Sequence, residues 1–443
     1  MDQARKNAYE IIYDVLEKNA YTNIALNTVL KKSEFDLRER KLVSMLVYGT
    51  ISYKYTIDRI LEKFTKRSIN SIDKRVRNIL RLGTFQLVFC DSIPDYPACN
   101  ESVSLAKLVT NKSASGFINA VLRNIARSDN RLELPDKEQK PVEFLSLKYS
   151  MSEEIIKKLM VAFNLEQTES FCEACLQKPD LFIRINNFKT QIDIVTDSLS
   201  SKGFNVKSVE SDLLTLRIEG SAGLFDTDEF KEGLFYVMDE SAVLPVMALN
   251  PKPGQNILDC CAGPGGKTCV ISQMMLNSGY ILAMDIHKHK IDLMDKTFKK
   301  LGIKNIECKV NDARIFDSNL ENTADGVLLD VPCSGLGIIR RKPDIKWNYK
   351  ANPELYQLQR EILYNCSRYV KKGGVLVYST CTVLPEENEL HIKDFLATHK
   401  EFRLEKLNFE NTVCTEHQEG TWINTYPHIN GTDGFFVAKM VKE

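Results

Sequence analysis

The sequence predicts a multidomain chain: an all-helical first domain, a small α/β module, and a doubly wound α/β domain built on a mostly parallel sheet. Three observations predict it. The 443 residues exceed what a single core accommodates, so two or three domains of ordinary size are expected. The apolar spacing follows a helical period through the first 130 or so residues and then changes to short strand runs alternating with helices. From about Asp239 onward those runs end repeatedly in Gly, Asp or Cys, the residue types that collect at the functional edge of a parallel sheet.

The first domain, residues 1–140, shows helical spacing at Ala8, Ile11, Ile12, Val15 and Leu16, then at Leu42, Leu46 and Val47, then at Ile79, Leu82, Leu87 and Val88. Pro94 and Pro97 interrupt it, and helix-like text resumes at Asn100-Glu101 and around 117–125. The polar, proline-containing run Leu132 to Lys137 predicts a linker. Residues 141–238 mix helical text (153–163 and 192–200) with alternating runs at 181–185 and 213–218, which predicts a small α/β module. From 239 to 443, strands are expected at 256–260, 280–284, 306–310, 326–329 and 375–378, with helices between them.

Composition excludes several classes. Hydrophobic residues at 43% and charged residues at 27% match a soluble globular chain, not a disordered or membrane-embedded one. The charged start and the lack of a long apolar run predict a cytoplasmic protein without a membrane segment. Twelve Cys scattered along the chain, with Cys260 and Cys308 inside expected buried strands, suit free thiols in a reducing compartment. Cys172 and Cys175 form a lone Cys-x-x-Cys without the second pair a zinc site needs, so no metal is expected. Net charge is zero, yet residues 1–140 hold 24 Lys+Arg against 17 Asp+Glu. A basic helical domain on an acidic remainder supports nucleic-acid binding without establishing it.

The first strand of the third domain runs into Asp259-Cys260-Cys261-Ala262-Gly263-Pro264-Gly265-Gly266-Lys267-Thr268. Small residues there allow a tight turn and close backbone approach to a ligand, with helix amides facing it. A phosphate-binding P-loop requires glycine where Cys261 stands, so that reading fails. The second strand ends at Asp285, the right distance on for ribose hydroxyls, and the third at Asn311-Asp312; an adenosyl cofactor is expected. The fourth strand ends at Asp330-Val331-Pro332-Cys333-Ser334-Gly335 and the fifth at Ser379-Thr380-Cys381-Thr382.

Two thiols after strands at the cofactor edge suit one demanding reaction. Carbon-5 of cytosine is too weak a nucleophile to accept a methyl group unaided; a thiolate must first add at carbon-6. Asp330 is expected to keep a proton through burial and to give it to ring nitrogen-3. The second thiol can assist release. Which Cys does which cannot be derived from the chemistry. The basic stretch Arg340, Arg341, Lys342 and Lys346 with Trp347 reads either as a phosphate grip with a base-stacking ring or as a solvated loop with a packed Trp.

These motifs, together with Arg340 to Ile345, Pro385-Glu386-Glu387-Asn388 and Gly431 to Phe436, resemble the Sun-type RNA cytosine-carbon-5 methyltransferases, most closely their bacterial RsmB-type ribosomal-RNA members. The resemblance covers nearly the whole chain. It implies a Rossmann-like class I domain that depends on S-adenosylmethionine (SAM), an RRM-like linker module, and a NusB-like RNA-binding domain carried by Arg81-Leu82-Gly83, Asn100 to Val103 and Asn119 to Arg123. It implies Cys381 as nucleophile, Cys333 as the thiol that promotes release, and Asp330 in catalysis. Cofactor contacts are implied at Cys261, Ala262, Gly263, Pro264, Gly265, Gly266, Lys267, Asp285, Asp312 and Asp330. The implied substrate is small-subunit ribosomal RNA before full assembly, at cytosine 967 of 16S rRNA, with a monomer as the expected state. Two departures stand out: Gly263 where the family usually has Ala, and Met238 where a Gln is common. The rival readings are a methyltransferase for another RNA such as tRNA, a DNA cytosine methyltransferase, and a non-catalytic NusB-like assembly factor. A DNA enzyme would need a Glu-Asn-Val motif that is missing here, and an amino-group methyltransferase would want an aromatic where Cys333 stands.

Overall fold

The computed structural model describes residues 2–129, 131–209, 214–220, 223–407, 415–416 and 420–443. They fall into two compact units: residues 1–177 with 339–350, and residues 178–338 with 351–443.

The first unit is helical. Several of its helices begin at side-chain caps: Asp36 with Glu39 in a capping box before Leu37–Ser52, Asp73 before Lys74–Phe89, and Asn111 before Lys112–Arg127. Lys74–Phe89 is the central helix, with Ile79, Leu80, Leu82 and Phe85 in the core. A Cβ added at Gly83 would come within 2.7 Å of Leu122 and 2.9 Å of Ser102 Oγ, so the glycine lets neighbouring helices approach closely. Two residues before Gly83, the buried Arg81 guanidinium donates to both oxygens of Asp58 at 2.7 and 2.9 Å. The Arg81-Leu82-Gly83 signature is thus part of the helical packing.

The helical text continues past 140 as Pro141–Tyr149, Glu153–Ala162 and Leu165–Ala174. These helices join the first unit: Thr56 Oγ1 donates to Leu147 O at 2.6 Å, and Ser150 Oγ accepts from Tyr55 N at 3.0 Å. The compact units therefore divide at Gln177, within the span 141–238 expected to form one module.

Residues 339–350 also belong to the first unit. In the short helical turn Ile345–Asn348, Lys346 is buried and donates to Ser52 O at 3.2 Å and Tyr149 O at 3.4 Å. Trp347 Nε1 donates to Ile51 O at 2.8 Å, and its ring lies 5.1 Å from Lys54 Nζ. These two residues are anchors in the helical core. The phosphate-grip alternative is corrected for Lys346, whose buried ammonium donates to two backbone carbonyls, while the Trp347 ring packs partly buried against the helical core.

The second unit contains two sheets. Strands β1 (Leu181–Ile185), β2 (Asn205–Ser208), β3 (Thr215–Glu219) and β4 (Phe235–Val237) form an antiparallel sheet in the order β2-β3-β1-β4. Helix Ile192–Ser201 packs on it through Val195 and Leu199. Leu213, the start of the expected strand 213–218, lies outside the described residues. This sheet is fastened to the larger domain by a buried polar knot: Gln273 Oε1 accepts from Arg184 Nε at 2.9 Å and from Tyr236 OH at 3.1 Å, and Gln273 Nε2 donates to Ile185 O at 2.9 Å.

The larger sheet comprises β5 (Asn256–Asp259), β6 (Tyr280–Asp285), β7 (Ile306–Val310), β8 (Ala324–Asp330), β9 (Val370–Thr380), β10 (Phe402–Leu404), β11 (Thr415–Glu416), β12 (Trp422–Thr425) and β13 (Phe435–Lys442). Its order is β11-β12-β13-β9-β8-β5-β6-β7, with β10 on β13. The run β9-β8-β5-β6-β7 is parallel and β13 joins antiparallel. Leu258, Leu282, Val327 to Leu329 and Leu376 to Tyr378 are buried, as expected for strands covered on both faces. β7 pairs with β6 alone, so Cys308 is half-buried rather than in the core. The chain order reverses between β5 and β8, and ligands of doubly wound sheets bind beyond the strand ends at such a point. Among the described residues no helix is long and apolar enough to cross a membrane.

Candidate active site at the strand ends

β8 and β9 run parallel with Asp330 opposite Ser379, so the chain after Asp330 and the chain after Ser379 leave the sheet side by side. Three residues beyond Asp330 stands Cys333, and two beyond Ser379 stands Cys381. Their sulfurs are 3.3 Å apart, both half-buried, and Cys381 N–H donates to Cys333 Sγ at 3.3 Å. The surrounding backbone is tight: Gly337 N donates to Cys381 O at 3.0 Å, and Gly434 N to Gly337 O at 2.9 Å. A Cβ on Gly337 would fall 2.2 Å from Gly434 O, which accounts for both glycines. Cys333 is pushed well above the ordinary thiol range, first by its hydrogen bond with Cys381 and then by desolvation.

Asp330 accepts from Lys267 Nζ at 2.7 Å and from Ser379 Oγ at 3.0 Å. Its side chain keeps 29% of its exposure. The burial expected of Asp330 is corrected: the carboxyl is partly exposed and paired with an ammonium. Burial acts to lower Lys267, but Asp330 outweighs it and raises the lysine above its usual range. Lys267 Nζ also lies 4.9 Å from the Phe435 ring, which brings in the segment Gly431 to Phe436.

The glycine loop turns as its residue types require. Ala262 N donates to Met284 O at 2.8 Å, Gly265 sits at φ 100°, and Gly266 opens the helix Gly266–Met274; Pro264 follows a cis peptide bond. Gly263 N donates to Asp285 Oδ2 at 3.1 Å, and Lys290 Nζ reaches the same oxygen at 3.1 Å. A Cβ on Gly263 would meet Asp285 Oδ2 at 2.4 Å and Lys290 Cδ at 2.5 Å, so glycine at this departure from the family pattern is matched by the closeness of Asp285. Met238, the other departure, is buried with its sulfur 3.9 Å from where a Cβ of Gly266 would lie. Burial raises the Cys261 thiol far above its usual range, which marks it as an inert wall of the loop.

Asp259, Asp285 and Asp330 thus collect at the ends of β5, β6 and β8. Burial pushes Asp259 up to about 7; Thr268 Oγ1 donates to one of its oxygens at 2.7 Å, and the other has no partner. Three strand-end carboxyls, two of them paired with lysines, together with the orphaned Asp259 oxygen and the glycine cradle, fit an adenosyl ligand that brings a donor or a positive charge. Asp312 stands somewhat apart: its carboxylate is held below its usual range by Arg314, which it binds at 2.6 Å.

Sequence reasoning missed the partners behind the loops. Lys290 on Asp285 carried no signal, and Ser379 on Asp330 stood in the fifth strand-end motif without a role. Glu387 sat inside a quoted motif without a role, and Gln359 had no signal at all, yet both bind the Cys333 loop.

The model of the family described as 16S rRNA methyltransferase RsmB/F matches residues 246–441, and that of the NusB family matches residues 2–127. The chain is 35% identical to the probable ribosomal RNA small subunit methyltransferase B of Bacillus subtilis (strain 168), over 99% of this chain and 98% of that protein. It is 32% identical to the probable enzyme of the same name from Synechocystis sp., over the full length of both. The solved structure titled "Crystal Structure of PH0851" superposes with a TM-score of 0.87 at 26% identity, covering 100% of this chain and 99% of that one. With a SAM-dependent methyltransferase fold behind its paired thiols and a NusB-family helical region before it, the chain belongs to the RsmB/F family of 16S rRNA methyltransferases.

Proposed function

We propose that the protein methylates carbon-5 of one cytosine in 16S ribosomal RNA, with SAM as donor, through a covalent bond between Cys381 and the base. The observation that carries this reading is the 3.3 Å approach of two thiols from separate strand ends beside the glycine loop. A single nucleophile would suffice for simple transfer; a second sulfur in contact suits a reaction that must also break the covalent bond it made.

Cys381 adds to carbon-6, and the electron pair displaced toward the ring makes carbon-5 nucleophilic. The contact between the two sulfurs is symmetric, and the attack is assigned to Cys381 by the resemblance of its Thr380-Cys381-Thr382 motif. Lys267 and Asp330 act as a unit, the lysine holding the proton and the aspartate presenting the acceptor oxygen, so a proton bound for nitrogen-3 is drawn from Lys267 through Asp330. SAM supplies the methyl group as a sulfonium electrophile; Cys261 to Lys267, Asp285 and Asp312 would hold it. Once Cys381 is bonded to carbon, Cys333 loses its sulfur partner, gives its thiol proton to solvent across its half-buried face, and as the thiolate takes the carbon-5 proton. The basic helical unit is assigned to RNA positioning, with cytosine 967 the expected target by resemblance.

The test is transfer of labelled methyl from SAM to 16S rRNA, free and in partly assembled subunits, with DNA and tRNA beside it. Label in 5-methylcytidine at a single rRNA position is expected. Label in another nucleoside, in tRNA or DNA alone, or nowhere, overturns the reading.

A further inference from the structure

The segment Pro385-Glu386-Glu387-Asn388 is a sequence signature to which the reaction above gives no task. Glu387 is completely buried, a costly place for a carboxyl group. Its Oε2 accepts from Ser334 N at 2.9 Å and from Gln359 Nε2 at 2.8 Å. Gln359 is also completely buried, and the same Nε2 donates to Pro332 O at 2.9 Å. Cys333 is thus bracketed: the residue before it gives its carbonyl, and the residue after it its N–H, to one buried pair. Glu387 is itself fixed, since Tyr378 OH in β9 donates to its carbonyl at 2.8 Å. The loop of Cys381 is held separately by Asn388, whose Oδ1 accepts from Thr380 Oγ1 at 2.6 Å and whose Nδ2 donates to Thr382 O at 3.1 Å. Besides the contact of the two sulfurs, Ser334 Oγ and Thr382 Oγ1, 2.7 Å apart, join the two loops.

A buried acid kept where an apolar pair would fill the same space is a poor device for stability alone. It is well suited to fixing a short loop, because each of its bonds is directional and costly to lose. We propose that Glu387, acting with Gln359, is a positioning residue for Cys333 that sets the rate of product release rather than the rate of attack. The inference rests on the proposed roles of the two thiols. In release, the Cys333 thiolate takes the carbon-5 proton. The C–H electron pair restores the 5,6 double bond, the bond from carbon-6 to sulfur breaks, and its electron pair leaves on Cys381 Sγ. That transfer depends on where Cys333 Sγ stands, whereas attack depends on the Cys381 loop, which Glu387 does not bind through its side chain.

The experiment follows single-turnover methylation of 16S rRNA with denaturing gels that show the covalent protein–RNA adduct. Glu387→Ala is expected to slow release about tenfold or more, the equivalent of one lost hydrogen-bond network, and to accumulate adduct. Glu387→Gln retains an acceptor oxygen and is expected to restore release to within about threefold of the parent. An Ala variant that is only less thermostable, with an unchanged ratio of adduct to product, overturns the proposal. If Glu387→Ala does not fold, Gln359→Leu decides in the same way. Cys333→Ala is run alongside: absence of adduct there defeats the underlying roles of the thiols, whereas adduct there but in neither Glu387→Ala nor Gln359→Leu defeats the clamp alone.

Discussion

Lys267 in the catalytic unit and Lys346 in the helical unit are both withdrawn from water, in opposite company. Lys267 faces the Asp330 carboxylate at 2.7 Å and is raised above the ordinary lysine range despite burial. Lys346 has the carbonyls of Ser52 and Tyr149 and, nearby, the buried thiols of Cys172 and Cys175; burial pushes it down to about 8. A full counter-charge holds the cation, whereas two carbonyl dipoles do not compensate the lost hydration. One lysine is therefore held as a cation by a carboxylate, and the other is an anchor that carries an electrostatic cost.

The largest break of this comparison is expected at Lys267. Lys267→Met removes the proton source and leaves Asp330 without its partner, so single-turnover methyl transfer should fall about 10²- to 10³-fold while the fold persists. A loss under threefold would make the pair structural. Lys346→Met is expected to act on stability and with a definite pH dependence. A lysine whose folded pKa lies below its unfolded value weakens the fold at low pH, and that cost fades as pH rises through 8 toward 10.5. The parent should therefore gain on the Met variant by up to about 3 kcal/mol between pH 7 and 10.5, read as the difference in their unfolding free energies. A constant difference across that range would show that Lys346 folds without a shifted proton affinity.

The catalytic edge was largely legible because the parallel sheet turns sequence position into spatial position. Asp259, Asp285, Asp330, Cys333 and Cys381 follow strand runs, and the sheet gathers strand ends. What was not legible depends on partners distant in sequence. Lys267 stands 63 residues from its partner Asp330, and neither local run announces the pair. The helix Pro141–Tyr149 joins the first unit through Thr56, 91 residues from Leu147. For Lys346 and Trp347 the sequence left an RNA grip and a loop with a packed Trp both open, because charge in a sequence does not say which way a side chain faces; their acceptors, on Ser52, Tyr149 and Ile51, lie about 200 to 300 positions earlier. Gln359 is invisible for the same reason, 28 residues from Glu387.

The central claim is that two adjacent thiols divide attack and release between them. Incubating Cys333→Ala and Cys381→Ala separately with SAM and 16S rRNA, then resolving them on denaturing gels, tests it most directly. A protein–RNA adduct that survives denaturation in Cys333→Ala and is missing from Cys381→Ala is the predicted result. An adduct in Cys381→Ala, or undiminished turnover in either variant, would contradict the division.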